Sequence, residues 1–362
     1  MASPLVSVVM IVCNVERFLA EAIESILGQT FREFEFIVVD YGSVDNSQAI
    51  VSSYAAEDGR LKLHKIAHCT LGEARNVGCL LARGRYIAIM DADDVSVPDR
   101  LTREVKFMEE HPHVALLGGA TEWINVEGKS LGFDEFPTED HEIKSELAVR
   151  CPFCQSAVMI RSHAFRLVGG YRAAFALAED YDLWLRIAER FHVANLKETV
   201  LKYRIHPYQV SLQKRRQQSL CKLAAQVSAA ARGVGSPDPA NGIEDITPAV
   251  LATWGVGEIA QNAILVREYL SWLRATFRAG EHSATLKAVI EILQSSDRRC
   301  AETWVIADLH FLAARIHWRQ KRYLKSVMNA GQAFTTWPIM LGRPLKPLLQ
   351  WLRPRSLTRE LY

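Results

Sequence analysis

The sequence predicts an α/β protein: a mostly parallel sheet flanked by helices, followed by an α-helical C-terminal region. Three observations carry this. Between residues 6 and 90, short apolar runs alternate with segments whose apolar residues recur at helical spacing. Runs such as Tyr86 to Met90 show no polar alternation, as expected of strands buried on both faces. Beyond a Gly/Pro-rich stretch ending at Gly242 the pattern is helical.

The elements follow in order. Val6 to Val12 is the core of a first strand. Asn14 follows it, placed to cap a helix in which Phe18, Leu19, Ala22, Ile23, Ile26 and Leu27 share one face. Phe34 to Val39 is a second strand closing at Asp40, and a helix runs from Asp45 to about Ala56. Leu61 to Ile66 is a shorter strand, Leu71 to Ala82 a helix carrying Arg75 and Asn76, and Tyr86 to Met90 the fourth strand. Val114 to Gly118 and Cys154 to Ile160 read as further strands, with a polar loop or short helix over residues 127–146. A tight turn at Val168 to Tyr171 precedes a helix from Ala178 to Ala188, and Val200 to Ile205 is a last strand before His206.

The polar residues at the strand ends are the informative ones. Asn14, Asp40 and Asp91 each close an apolar strand, and in a parallel sheet these ends share one edge, where ligands bind. A nucleotide across that edge would meet Asp40, Arg75 and Asp91 together. Asp91, Asp93 and Asp94 crowd three carboxylates into four residues. Mutual repulsion and desolvation make such a cluster costly unless a divalent cation such as Mg²⁺ or Mn²⁺ offsets it. An acidic helix cap, at Asp94 or Ser96 ahead of Pro98, is the other reading. Asp40 divides equally between turn residue and ligand contact. Glu179, Asp180 and Asp182 crowd a helix start: they complement the helix dipole, or one of them serves as a general base.

The bulk composition narrows the choices. The 362 residues are 49% hydrophobic and 23% charged, long enough for two domains, and the formal net charge of +2 implies no general polyanion-binding surface and no nucleic-acid partner. No basic leader precedes the first strand, and no apolar run approaches the ~20 residues that span a bilayer. Seven scattered cysteines fit reduced thiols in a cytoplasmic protein. Cys151-Pro-Phe-Cys154 has no second pair, so it reads as two small core residues rather than a zinc or redox site. No Gly-x-Gly-x-x-Gly and no Gly-x-x-x-x-Gly-Lys follows a strand, which excludes the dinucleotide fingerprint and the P-loop.

Asp40-Tyr-Gly-Ser43, Ala74-Arg-Asn76, Gly84-Arg-Tyr-Ile-Ala-Ile-Met-Asp-Ala-Asp-Asp94, Pro98-Asp-Arg-Leu101, Gly169-Gly-Tyr171 and Glu179-Asp-Tyr-Asp-Leu-Trp-Leu-Arg186 together resemble family 2 glycosyltransferases. These are inverting enzymes of the GT-A (Rossmann-like) fold that use nucleotide sugars. The resemblance covers roughly residues 5–212, with its motifs in order. It implies an enzyme moving a sugar from a nucleotide-diphosphate sugar to a hydroxyl of a glycan or lipid-linked glycan, in cell-surface polysaccharide synthesis. It further implies that Asp91 meets the ribose or a ligated water, that Asp93 ligates a Mg²⁺ or Mn²⁺ bridging the diphosphate, and that Asp94 supports them. By the same resemblance Asn14, Asp40, Tyr41 and Arg75 hold the nucleotide and Asp180 is the catalytic base. Gly170, Tyr171 and Glu179 lie on the acceptor side, and His206 approaches the metal. Two departures stand out. Tyr41 occupies the place of a second acid that reads uracil in the family, and Val12-Cys13-Asn14 replaces Pro-x-Tyr-Asn. Both weaken the expectation of a uridine donor.

The domain expectation is a catalytic domain over 1–212, a helix and linker over 213–242 and a helical domain over 243–362. Segments Tyr269 to Leu293 and Leu309 to Phe334 are loosely alike, which admits tetratricopeptide-like hairpins or a plain helical subdomain. The last stretch mixes Trp337, Trp351 and several Leu with Arg343, Lys346, Arg353, Arg355 and Arg359. It reads as a core-packing tail or as peripheral contact with the inner face of the cell membrane. A rival from another class is a non-catalytic nucleotide-binding scaffold whose helical region binds a partner. A nucleotidyltransferase would need a Gly-rich basic loop after the first strand, and Val12 to Glu16 is neither.

Overall fold

The structure is a computed structural model and describes residues 3–206, 215–278 and 280–338. It divides into two compact units, Met1–Gly257 and Glu258–Tyr362. The first unit opens with β1 (Val6–Val12), α1 (Glu16–Leu27), β2 (Phe34–Asp40), α2 (Ser47–Glu57), β3 (Leu61–Lys65), α3 (Leu71–Leu81) and β4 (Tyr86–Asp91). These match the sequence expectation to within a residue or two. They form the parallel run β3-β2-β1-β4.

The other half of the sheet is mixed. β5 (Val95–Ser96), α4 (Arg100–Glu110), β6 (Val114–Ile124), β7 (Ser130–Asp134), α5 (Asp140–Leu147), β8 (Met159–Arg161), α6 (Ser162–Leu167), α7 (Glu179–Ala188) and β9 (His192–Arg204) follow. The order continues β4-β8-β6-β9-β5, with β7 paired to β6. β8 runs antiparallel to both neighbours, while β6 and β9 are parallel. The segment 154–160, expected as one strand, is a 3₁₀ turn at Gln155–Ala157 followed by the short β8. Neither Asp94 nor Ser96 caps α4. Ser96 lies in β5, and the cap position is Asp99.

Strand alternation explains how both faces are buried. Val6, Val8, Met10 and Val12 of β1 point to one face with Phe36 and Val38 of β2 and Ala88 and Met90 of β4. There they meet Leu19, Ile23 and Ile26 of α1 and Leu101 and Met108 of α4. Val9, Ile37, Val39, Ile87 and Ile89 point the other way, toward Cys79 of α3 and Phe165, Leu183 and Trp184. Burying each such side chain is worth about 1.5–3 kcal/mol. The turn into β4 is tight: a Cβ on Gly84 would lie 2.6 Å from the Ser7 backbone nitrogen.

The first unit extends further than sequence composition suggested. Helix α8 (Arg215–Gly233) buries Leu220, Cys221, Ala224 and Ala225 in the same core as α7, and Ala240, Ile246 and Leu251 join them. The Gly/Pro-rich stretch is pinned rather than loose, because Asp238 pairs with Arg172 at 2.8 Å and Arg232 at 2.6 Å. Helix α9 (Pro248–Thr253) closes the unit, and the division falls at Gly257/Glu258 rather than across 213–242.

The second unit holds α10 (Glu258–Arg278), α11 (His282–Gln294), α12 (Thr303–Arg319) and α13 (Tyr323–Thr336). Gly280 at φ +89° and Lys321 at φ +58° make sharp reversals between helices. Leu270, Leu273, Phe277, Val289, Leu309, Leu312 and Ile316 form its core. Among the described residues no helix is long and apolar enough to cross a membrane. The basic and aromatic tail lies outside the described residues from position 339 onward.

Candidate active site

The site forms where β1, β2 and β4 end side by side. Register places Asp40 opposite Val12 and Asp91 opposite Ile11, so two carboxylates flank the end of β1. Asp40 is 1% exposed. Its Oδ1 accepts from the Gly42 and Ser43 backbone N–H groups, both at 3.1 Å, and from Gln48 Nε2 at 3.0 Å. Its Oδ2 is buried without a hydrogen-bond partner. Gly42, at φ +106°, supplies the reversal that lets two N–H groups converge on one oxygen.

Asn14 does not cap α1. At φ +54° its Oδ1 accepts from the Val44 N–H at 2.8 Å and so ties the first loop to the loop after β2. The start of α1 is served instead from that second loop: Ser47 Oγ and Asp45 Oδ2 accept from the N–H groups of Val15 and Glu16. Tyr41 stacks on His68, with ring centroids 5.8 Å apart and planes 14° apart. Burial pushes the Tyr41 phenol up to about 12. His68 belongs to no motif, and nothing in its spacing could have placed it here.

Arg75 is the hub. Helix α3 begins with a capping box: Thr70 Oγ1 accepts from the Glu73 N–H, and Glu73 reaches back to the Thr70 N–H. Two residues on, the buried Arg75 donates from Nη2 to Asp91 Oδ1 at 3.1 Å and from Nη1 to Glu179 Oε1. Burial opposes its charge, yet Asp91 and Glu179 hold the guanidinium above its ordinary value. Burial raises Asp91 and Glu179 in turn. Asp93 adds to the rise at Asp91 and Asp180 to that at Glu179, while Arg75 opposes both.

Two neighbouring carboxylates differ sharply in access. Glu179 is 2% exposed and sits on Arg75, whereas Asp180 is only half-buried. Asp182 is fully buried and bound by Arg172 and Arg186, so it is structural. Arg186 also donates to the Gly170 carbonyl at 2.7 Å. Gly169 and Gly170 adopt φ +83° and +68° there, and Asn76 clamps both backbone groups of Tyr171 at 2.9 and 2.8 Å. Tyr171 is therefore not an open wall. It is 3% exposed, accepts from Gln155 Nε2 at 2.9 Å, and lies under the Arg75 guanidinium.

The predicted metal set is only partly assembled. His206 Nε2 and Asp93 Oδ2 are 2.9 Å apart, but Asp91 is engaged by Arg75. Among the described residues no three His, Cys, Asp or Glu side chains gather as a ready-made ligand set. Two buried arginines that the sequence reading missed shape the acidic turn. Arg204 receives Asp94 Oδ1 on its backbone N–H at 2.8 Å and donates from Nε to the Asp93 carbonyl at 2.9 Å. Arg100 donates to the carbonyls of Ile89 at 3.0 Å and Ser156 at 2.7 Å. Burial, then Asp93 and Asp91, push Asp94 well above the usual carboxylate range. The one available signal was an arginine between Tyr203 and Ile205 at the close of the last strand.

The family model described as Glycosyl transferase family 2 matches residues 7–165. The putative glycosyltransferase EpsE of Bacillus subtilis is 37% identical over 214 residues, which is 56% of this chain and 74% of that protein. Two solved structures share the fold. TarS 1-349 of S. aureus in complex with UDP-GlcNAc has a TM-score of 0.53 at 17% identity, covering 92% of this chain and 91% of that one. The mannosyltransferase PcManGT of Pyrobaculum calidifontis, in complex with GDP-Man and Mn²⁺, has a TM-score of 0.51 at 17% identity, covering 88% and 89%.

Proposed function

The chain belongs to glycosyltransferase family 2, and on that footing we propose that it transfers a sugar with inversion from a nucleotide-diphosphate sugar to a hydroxyl of a glycan or lipid-linked glycan. One observation supports this most: Arg75 joins the strand-end carboxylate Asp91 to the helix-start carboxylate Glu179, which brings Asp180 into the same charged cluster. A donor site and a candidate base are thereby one site. A module that only bound a nucleotide would have no use for the second.

The nucleoside lies against Asp40, Tyr41 and Asn14. The buried, unsatisfied Asp40 Oδ2 suits a base or ribose donor group, since an orphaned carboxylate oxygen is costly unless a ligand fills it. Tyr41, stacked on His68, offers a ring face rather than a second carboxylate, which favours stacking over acceptance of a ring N–H. Asp93 and His206 would hold a divalent cation. A carboxylate and an imidazole leave most of the coordination sphere to diphosphate oxygens and water, as Mg²⁺ and Mn²⁺ sites at phosphates commonly do. Such a cation, when bound, neutralises charge on the leaving diphosphate.

Asp180 is the accessible member of its pair and takes the proton from the acceptor hydroxyl. The oxygen then attacks the anomeric carbon opposite the departing nucleoside diphosphate. Glu179 keeps Arg75 in place. Asp180→Asn preserves size but removes the basic oxygen. Turnover with saturating donor should fall by at least about 10²-fold while donor affinity persists. Near-normal turnover would overturn the assignment.

A further inference from the structure

We propose that α13, the last described helix, docks on an anionic phospholipid surface. Tyr323, Leu324, Val327 and Met328 are 53%, 76%, 63% and 58% exposed. Their spacing puts them on one face. The opposite face is the packed one: Ser326 and Ala333 are buried, and Ser326 Oγ donates to the Ala314 carbonyl at 2.8 Å. Other exposed large apolar residues described in this unit, Ile259 and Ile290, lie on other helices. Isolated exposed residues are ordinary, whereas four on adjoining turns make a patch that calls for an occupant.

Charge identifies the occupant. Lys321, Arg322 and Lys325 are exposed beside the apolar residues, and α13 carries no acid. Burial and then the positive neighbours Lys325 and Arg322 hold His317 below its ordinary value. Residues 309–359 contain ten Lys/Arg and no Asp/Glu. Residues 258–362 hold 16 Lys/Arg against 8 Asp/Glu, a net of +8, while the preceding 257 residues hold 27 against 33, a net of −6. An apolar stripe rimmed by cations, with Tyr323 edge-on to Trp318 at 5.0 Å, matches an interface of acyl chains beneath phosphates. A second copy on this face would bring like charge against like. Residues 339–362 would do the same, with five Lys/Arg and one Glu.

The test is sedimentation of the full chain with phosphatidylcholine vesicles, with and without about one-third phosphatidylglycerol, a fraction set by the ~1 kcal/mol each basic residue gains at a charged surface. Binding should need the anionic lipid and weaken with salt. Lys321→Gln/Arg322→Gln/Lys325→Gln should reduce it about tenfold or more, and so should Leu324→Gln/Val327→Gln. Equal binding to neutral vesicles would overturn the proposal. So would vesicle binding indifferent to the apolar double variant, which would reveal mere attraction to polyanions. Because these side chains face outward, the double variant should keep the wild-type melting temperature and light-scattering mass. A drop of several degrees would mean the chain itself covers the face, and a changed mass would mean a second copy does; either result refutes lipid docking. Donor and acceptor are not needed, so the outcome is independent of the proposed sugar transfer.

Discussion

Replacing Arg75 by Met removes one cation from between two carboxylates and keeps the apolar stem. Glu179 then loses the cation that hydrogen-bonds it, and among the described residues its second oxygen has no partner. Breaking a buried ion pair from one side costs about 3–5 kcal/mol. The Asp91 arm contributes less, since that side chain keeps 29% of its surface exposed. The expected loss is therefore near the low end, about 3 kcal/mol, which in a unit of this size is a fall of roughly 6–12 °C in melting temperature. Most of that loss is an uncompensated charge. Adding Glu179→Gln to Arg75→Met should return at least about 1 kcal/mol in a double-mutant cycle.

The same variant has a pH signature. Glu179 and Asp91 already have raised folded-state pKa values, and deleting Arg75 removes the influence that opposes the rise. A carboxyl raised on folding binds its proton more readily folded than unfolded, so stability is lost as pH rises through the folded-state value. The Arg75→Met deficit should be largest near about pH 8 and shrink toward about pH 5. Urea denaturation at both pH values measures it. A pH-independent deficit, or strict additivity with Glu179→Gln, would refute the view that this triad is electrostatic rather than packing.

Other outcomes follow from single contacts. Asp93→Ala should abolish metal-dependent nucleotide binding in calorimetric titration while leaving the melting temperature of the free protein within a few degrees. Titration with uridine, thymidine and guanosine diphosphates should show less than about a hundredfold preference for uridine, since Tyr41 gives no second carboxylate; a gap of about 2.7 kcal/mol or more would contradict this. Gly84→Ala should destabilise by about 1–3 kcal/mol in urea titration, because its Cβ would meet the backbone of Ser7, which cannot rotate away.

The parallel half of the sheet was legible because each signal there is local. β1, β2 and β4 are unbroken apolar runs, and α1 repeats its buried residues every three or four positions. The mixed half was not. β5 and β8 are two and three residues long, too short to show a period, and exist because β9 and β6 offer them hydrogen bonds. β6 was underestimated because Gly118 and Gly119 look like a terminator. They are instead where β6 must pass under Asn195 and Val200: a Cβ on Gly119 would lie 2.7 Å from Val200 Cγ2. The linker reading failed for a similar reason: against burial, the bonds from Ser228 and Ala240 and then the guanidiniums of Arg172 and Arg232 hold the Asp238 carboxyl well below the ordinary range.

At the site the acids were visible and the arginines mostly were not. Asp40, Asp91, Asp93 and Asp180 stand at element ends, where a one-dimensional pattern breaks. Arg100 opens a helix and Arg204 closes a strand, positions where an arginine reads as surface, yet they are 0% and 1% exposed. Their role explains the cluster's cost. Asp91, Asp93 and Asp94 repel one another, and Arg204 answers with a backbone N–H to Asp94 and a guanidinium bond to the Asp93 carbonyl, so the turn is held by its backbone. Arg75 answers with direct pairing to Asp91. Asp93 instead pairs its carboxylate with the His206 imidazole, at 2.9 Å. Asp94 is 1% exposed and Asp91 is taken by Arg75, which leaves Asp93, with 23% of its side chain exposed, as the carboxylate open to a ligand. That is where a cation arriving with a diphosphate would gain most, and it is why Asp93, not Asp91, is the residue whose loss should cost metal-dependent binding.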